Sequence, residues 1–95
     1  MVKTWVRSKL DRVISNTPCH VYSIIMTPDD TQNACNVVLY DGESTGDPRV
    51  LGVRTGAGVT RMLHFNPPLQ TQRGLYLDAG DNVDDVLIQF AWEHE

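Results

Sequence analysis

The chain has 95 residues, a net charge of −4, 41% hydrophobic and 21% charged residues, seven glycines and five prolines. That is one domain's worth of sequence, since domains usually run about 100–200 residues, and the balance excludes a long disordered tail, a collagen-like chain and a low-complexity chain. No apolar run approaches the ~20 residues of a membrane-spanning helix, and the N-terminal residues lack the apolar core of a signal peptide. The expectation is a protein made in a cytoplasm, not exported by the usual signal, with no membrane partner. A chain this short buries only roughly 60–65% of its unfolded surface, a thin core that oligomerisation commonly supplements.

Residues 1–16 read two ways. Val2, Trp5, Val6, Leu10, Val13 and Ile14 gather on one side of a helical wheel. As a strand, Val2, Val6, Leu10 and Ile14 share a face with Thr4, Ser8 and Arg12. The strand-rich remainder of the chain favours the extended form, an N-terminal arm over residues 1–14 that feeds a single domain over residues 15–95. From Cys19 onward the apolar period is near two. His20-Val21-Tyr22-Ser23-Ile24-Ile25-Met26 is a strand that ends at Thr27-Pro28-Asp29-Asp30. Asn36 to Tyr40 is the next, closed by the turn signal Asp41-Gly42. Arg49–Arg54 is a short strand weakened at Gly52, and Thr55-Gly56-Ala57-Gly58 is a loop.

Val59 to Phe65 follows, and Asn66-Pro67-Pro68 is expected to stop it because proline gives no N–H to a ladder. Gly74 to Asp78 is another strand, with Gly74 permitting a close backbone approach. The alternation of Val86, Ile88, Phe90 and Trp92 with Leu87, Gln89, Ala91 and Glu93 marks the last and clearest one. Six strands at 8–14-residue spacing, with no helical stretch between them, give an all-β fold: a small antiparallel β-sandwich or jelly-roll-like domain. Cys19 and Cys35 begin successive strands. If these form a hairpin turning near residues 28–34, the cysteines lie roughly 25 Å apart at about 3.3 Å per residue, too far for a disulfide, so both are expected as free thiols.

Charge is unevenly placed. Lys3, Arg7, Lys9 and Arg12 against Asp11 leave the first twelve residues at +3, while Asp78, Asp81, Asp84, Asp85, Glu93 and Glu95 follow Arg73 with no further Lys or Arg. Opposite-sign ends can steer one copy onto another or onto a charged lattice. Nucleic acid is not expected as a partner, because phosphate binding needs excess positive charge on the docking face.

The run Val21-Tyr22-Ser23-Ile24-Ile25, a polar turn, then Val37-Val38-Leu39-Tyr40-Asp41-Gly42-Glu43-Ser44, with Phe65, Gly74-Leu75-Tyr76-Leu77 and Val86-Leu87-Ile88-Gln89-Phe90 after it, resembles a pattern of small bacteriophage virion proteins. The resemblance covers roughly residues 19–90 and is one of strands and turns, without a catalytic signature. It implies a β-sandwich or jelly roll, often trimeric, on a head, head fibre or tail.

The chemical constellations are sparse. Asp78, Asp81, Asn82, Asp84 and Asp85 are a dense acidic cluster, but their spacing misses the EF-hand pattern, and a solvated turn is the preferred reading over a calcium site. His20, His64, His94, Cys19 and Cys35 form none of the close ligand pairs of a zinc site. Ser23, Ser44 and Cys35 lack the motif context of an activated nucleophile, and Thr55-Gly56-Ala57-Gly58 is not followed by the Gly-Lys-Ser/Thr of a phosphate loop. The expectation is therefore no enzyme, no cofactor and no metal. Trp92, in phase with Phe90, reads as core. Trp5, set among cations, reads as an interface anchor, and Lys3, Trp5, Val6, Arg7 and Lys9 are the expected partner contacts. The functional expectation is a structural virion protein that decorates or cements a capsid by binding the major capsid protein, other virion proteins or sister subunits, as a homo-oligomer with a trimer favoured. The alternative is a carbohydrate- or receptor-binding sandwich on a fibre or tail.

Overall fold

A computed structural model describes residues 3–8, 10–28, 35–56, 58–80 and 83–92. The described residues form eight strands: β1 (Thr4–Ser8), β2 (Arg12–Ser15), β3 (Cys19–Pro28), β4 (Cys35–Tyr40), β5 (Arg49–Thr55), β6 (Arg61–Gln70), β7 (Leu75–Asp78) and β8 (Val83–Trp92). They make two four-stranded sheets, ordered β1-β8-β3-β6 and β2-β7-β4-β5, with every pairing antiparallel. The protein is an all-β sandwich.

Alternation along the strands selects the core. Val21, Ile24, Met26, Val86, Ile88 and Phe90 of the first sheet meet Val37, Leu39, Leu75 and Leu77 of the second, all buried. Removing such a side chain from water stabilises the fold by about 1.5–3 kcal/mol. Cys19 and Cys35 join this core as small apolar groups, and both are free.

The N-terminal segment is extended, and its strands are integral to the sandwich. β1 lies along β8 over five residue pairs, Thr4↔Phe90 to Ser8↔Val86, and closes one edge of the first sheet. β2 pairs with β7 at the edge of the second. A division at residue 14 therefore falls inside β2. Gly74 allows the β2–β7 contact, since a Cβ there would sit 2.5 Å from the Ser15 carbonyl oxygen.

Two sequence expectations are corrected. β3 and β4 belong to different sheets, so they do not pair as a hairpin and Cys35 does not lie opposite Thr27. Cys19 pairs instead with Trp92, and Cys35 with Thr55. Among the described strands, consecutive ones share a sheet only at β4–β5, and every other connection changes layer. Nor do Pro67 and Pro68 end a strand, because β6 runs on to Gln70 with a cis Asn66-Pro67 peptide. His64 pairs with Ser23 and Leu69 with Val21, so Phe65 to Pro68 bulge against the single residue Tyr22. β6 is an edge strand, where the missing proline N–H costs least.

Candidate interaction surface

The register places one row of the first sheet's outer face as Arg7, Leu87, Ile25 and Met62, one residue from each strand. The next row is Trp5, Gln89, Ser23 and His64. Met62 is 65% exposed and Trp5 48%, with Leu87 and Ile25 half-buried between them. The result is an apolar band over β8, β3 and β6 that continues to β1 diagonally through Trp5, edged by charge.

Of the expected partner contacts, Trp5 and Arg7 lie on this face. Arg7 Nε is 3.0 Å from Asp85 Oδ2 on β8. Lys3 is also engaged within the chain, its Nζ 4.4 Å from the centre of the Tyr22 ring, within cation–π range. Val6 alternates inward and packs, partly buried, against the core opposite Ile88. Lys9 lies outside the described residues. Arg7 of the basic start and Asp85 of the acidic end thus meet in cis, because β1 pairs with β8. Trp92 departs from its core expectation: at the end of β8 it is 39% exposed, its ring edge-on to Phe90 with centroids 5.0 Å apart.

A second cluster sits at the corner of the β4–β5 hairpin, whose connection runs from Asp41 to Pro48. The Asp41 carboxylate accepts from the backbone N–H groups of Gln72 (3.0 Å), Arg73 (2.8 Å) and Gly74 (3.4 Å), tying the β6–β7 loop to the hairpin. The Asp47 carboxylate accepts from Glu43 N (2.9 Å), Ser44 N (3.2 Å) and Ser44 Oγ (3.4 Å), and lies 3.5 Å from Arg73. The Glu43 amide chiefly, with Ser44 and Arg73, holds the Asp47 carboxyl below the ordinary aspartate value. Gly42, at φ 156°, keeps that carboxylate in place, since any Cβ there would collide with it. Sequence reading found the Asp41-Gly42 turn. It missed the amide cradle, which joins residues more than thirty apart.

Reactive groups are few. Ser23 Oγ and His64 Nδ1 share a hydrogen bond of 2.8 Å across β3 and β6. No carboxylate is bonded to that ring among the described residues, and the pair lies on an open sheet face, so its geometry is that of a cross-strand polar contact. The Cys19 thiol sits 3.4 Å from Thr71 Oγ1, and burial raises its pKa. Cys35 is likewise buried, 3.4 Å from Thr55 Oγ1. Burial of this kind makes the Cys19 thiol a poor nucleophile. Among the described residues no three His, Cys, Asp or Glu side chains converge as a metal site; Asp81, Asn82 and His94 lie outside them. No family model, curated protein or solved structure matches the chain.

Proposed function

We propose that this sandwich is a structural assembly protein that docks through the outer face of its β1-β8-β3-β6 sheet, and that its setting is a bacteriophage particle whose capsid it decorates or cements. The observation that carries the docking reading is the row Leu87, Ile25 and Met62 with Trp5 diagonal to Leu87 on β1, an apolar band that spans the sheet's four strands. An apolar band bordered by the Arg7–Asp85 ion pair fits the anatomy of a protein interface, with an aromatic anchor inside and charge at the rim. The virion setting rests on the strand-and-turn pattern of residues 19–90, whose implied fold agrees with the sandwich. The occupant of the face is a sister subunit, since the same face packed against itself on two copies closes a two-fold contact and supplements the thin core of a short chain.

The test has two parts. Light scattering of the purified chain should report an oligomer, which Trp5→Ser with Met62→Ser converts to a monomer. Particles purified from cells that express the chain should contain it in fixed stoichiometry, with its density at a symmetry-related surface position. A monomeric wild-type chain would overturn the docking reading, and absence from purified particles would overturn the virion setting.

A further inference from the structure

The second sheet's outer face carries a feature of a different kind. Between Asp47 and Asp78 the sequence holds Arg49, Arg54, Arg61 and Arg73 and no acidic residue, so a stretch at +4 lies inside a chain at −4. Arg49 and Arg54 stand five apart on β5, and strict alternation would send them to opposite faces. A bulge prevents this. Leu39 pairs with Leu51 but Tyr40 with Arg49, leaving Val50 as the extra residue. Val50 and Leu51 both pack toward the core, and Arg49 is turned outward beside Gly52 and Arg54.

Between the arginines the surface is concave. Asn36, Val38, Arg49, Gly52 and Arg54 line a depression of 310 Å³, with Val38 and Gly52 paired across its floor. Gly52 leaves the space open: a Cβ there would meet only the Arg49 guanidinium, at 3.8 Å. Neither guanidinium makes an ion pair among the described residues. Asp47, the acid nearest in sequence, is already engaged by Glu43, Ser44 and Arg73. Asp78 shares the row of Val38 and Gly52 but lies two strands away, about 9–10 Å at the usual strand spacing, a separation at which salt screens it.

We infer that this notch binds an oxyanion group, a carboxylate, sulfate or phosphate, clasped between the Arg49 and Arg54 guanidiniums with the Asn36 amide as a further donor. Paired guanidiniums match the planar or tetrahedral oxygens of such groups through charge-assisted hydrogen bonds. The carrier is either the free inorganic anion or an acidic sugar. A sugar ring would reach Tyr40, which is paired directly with Arg49 and packs against Tyr76 at 6.4 Å between ring centres. The site is independent of the docking face, which belongs to the other sheet.

The full chain would be titrated with sodium sulfate and, separately, with sodium glucuronate at constant ionic strength, following backbone amide and tyrosine ring resonances. Saturable shifts should centre on Arg49, Gly52 and Arg54. Arg49→Gln and Arg54→Gln should each weaken binding by about tenfold or more, and Gly52→Leu, which fills open space, should abolish it while the rest of the spectrum is preserved. Movement of Tyr40 with glucuronate alone identifies the acidic sugar as the carrier; movement confined to the notch with both anions identifies the free anion. Shifts that fail to saturate, that spread over the surface, or that persist unchanged in both arginine variants would overturn the inference.

Discussion

The two sheets contribute matching halves to one core, yet they turn different chemistry to solvent. On the β1-β8-β3-β6 face the cations Lys3 and Arg7 are tied down within the chain, by the Tyr22 ring and by Asp85, and apolar surface runs between the strands. On the β2-β7-β4-β5 face the charges are separated. Among the described residues Arg49 and Arg54 stand without ion pairs on the β5 edge, while Asp11 and Asp78 flank Tyr76 near the opposite edge. Desolvation of the Tyr76 hydroxyl raises its pKa, and those two carboxylates raise it further. A net charge of −4 describes neither face. Strand pairing decides which charges cancel and which remain available.

The largest effect expected is on the core that both faces share. Ile88 is fully buried on the central strand β8, opposite Val6 and Ile24. Ile88→Ala should cost about 2–5 kcal/mol in a denaturant titration, lost transfer energy plus an unfilled cavity. Both surfaces should then fail together. If oligomerisation survived at a denaturant concentration that abolished anion binding, the two faces would not depend on one cooperative unit.

The next separates the corner from the core. Asp41→Ala leaves three loop amides without their acceptor and should cost about 1.5–3 kcal/mol, because a charged acceptor is lost and its donors must find water. The damage should concentrate in residues 72–74 and 41–48. Hydrogen exchange would show those amides losing protection while β3 and β8 keep theirs.

How much of this was legible in the sequence depends on the range of the interaction involved. The alternation in residues 19–26, 36–40 and 86–92 places β3, β4 and β8 to within a residue or three, and Gly74 announces a close contact that the Ser15 carbonyl makes real. Layer assignment was not legible, because period two says which side of a strand is apolar and nothing about which sheet the strand joins. That gap produced the false hairpin between β3 and β4. The prolines of β6 misled for a related reason: Asn66-Pro67-Pro68 forbids a central ladder, but an edge position with a bulge accommodates it. The Arg49–Arg54 pair was hidden by a one-residue shift at Val50. The absence of acid from Pro48 to Leu77 was the signal that would have exposed it.

Trp5 sharpens the comparison from the other side. It stands 48% exposed, outward on an edge strand, so Trp5→Ala should change stability by less than about 1 kcal/mol. As the anchor of the apolar band it should weaken self-association by about 2 kcal/mol or more. Sedimentation measured alongside thermal unfolding separates the two quantities. Equal losses in both would make Trp5 a structural residue and return the docking role to Met62 and Ile25. Deleting residues 1–9 is a poorer probe. It removes β1, exposes the β8 edge and uncovers the core beneath Val6, so a loss of folding is the expected result.

The smallest effect belongs to the β4–β5 connection and follows from Asp47. Its carboxyl is held below the usual value chiefly by the Glu43 amide, then by Ser44 and Arg73. A depressed folded-state pKa contributes stability that is present above the unfolded aspartate value of about 3.9 and is lost as pH falls through the folded value. Acid should therefore loosen the loop while the sandwich persists. The contribution is modest because the carboxylate is open to solvent and screened by salt. Between about pH 6 and about pH 2.5, the Glu43 and Ser44 amide resonances should move through one transition centred below the ordinary aspartate range, with β3 and β8 amides unmoved. Asp47→Asn keeps an acceptor oxygen but cannot titrate, so the same amides should then hold a constant position across the range. A transition that persists in Asp47→Asn would assign the acid sensitivity to Asp41 or Glu43 instead. A transition shared by loop and core would mean that the corner does not unfasten on its own, and that the second sheet responds to acid as one unit with the first.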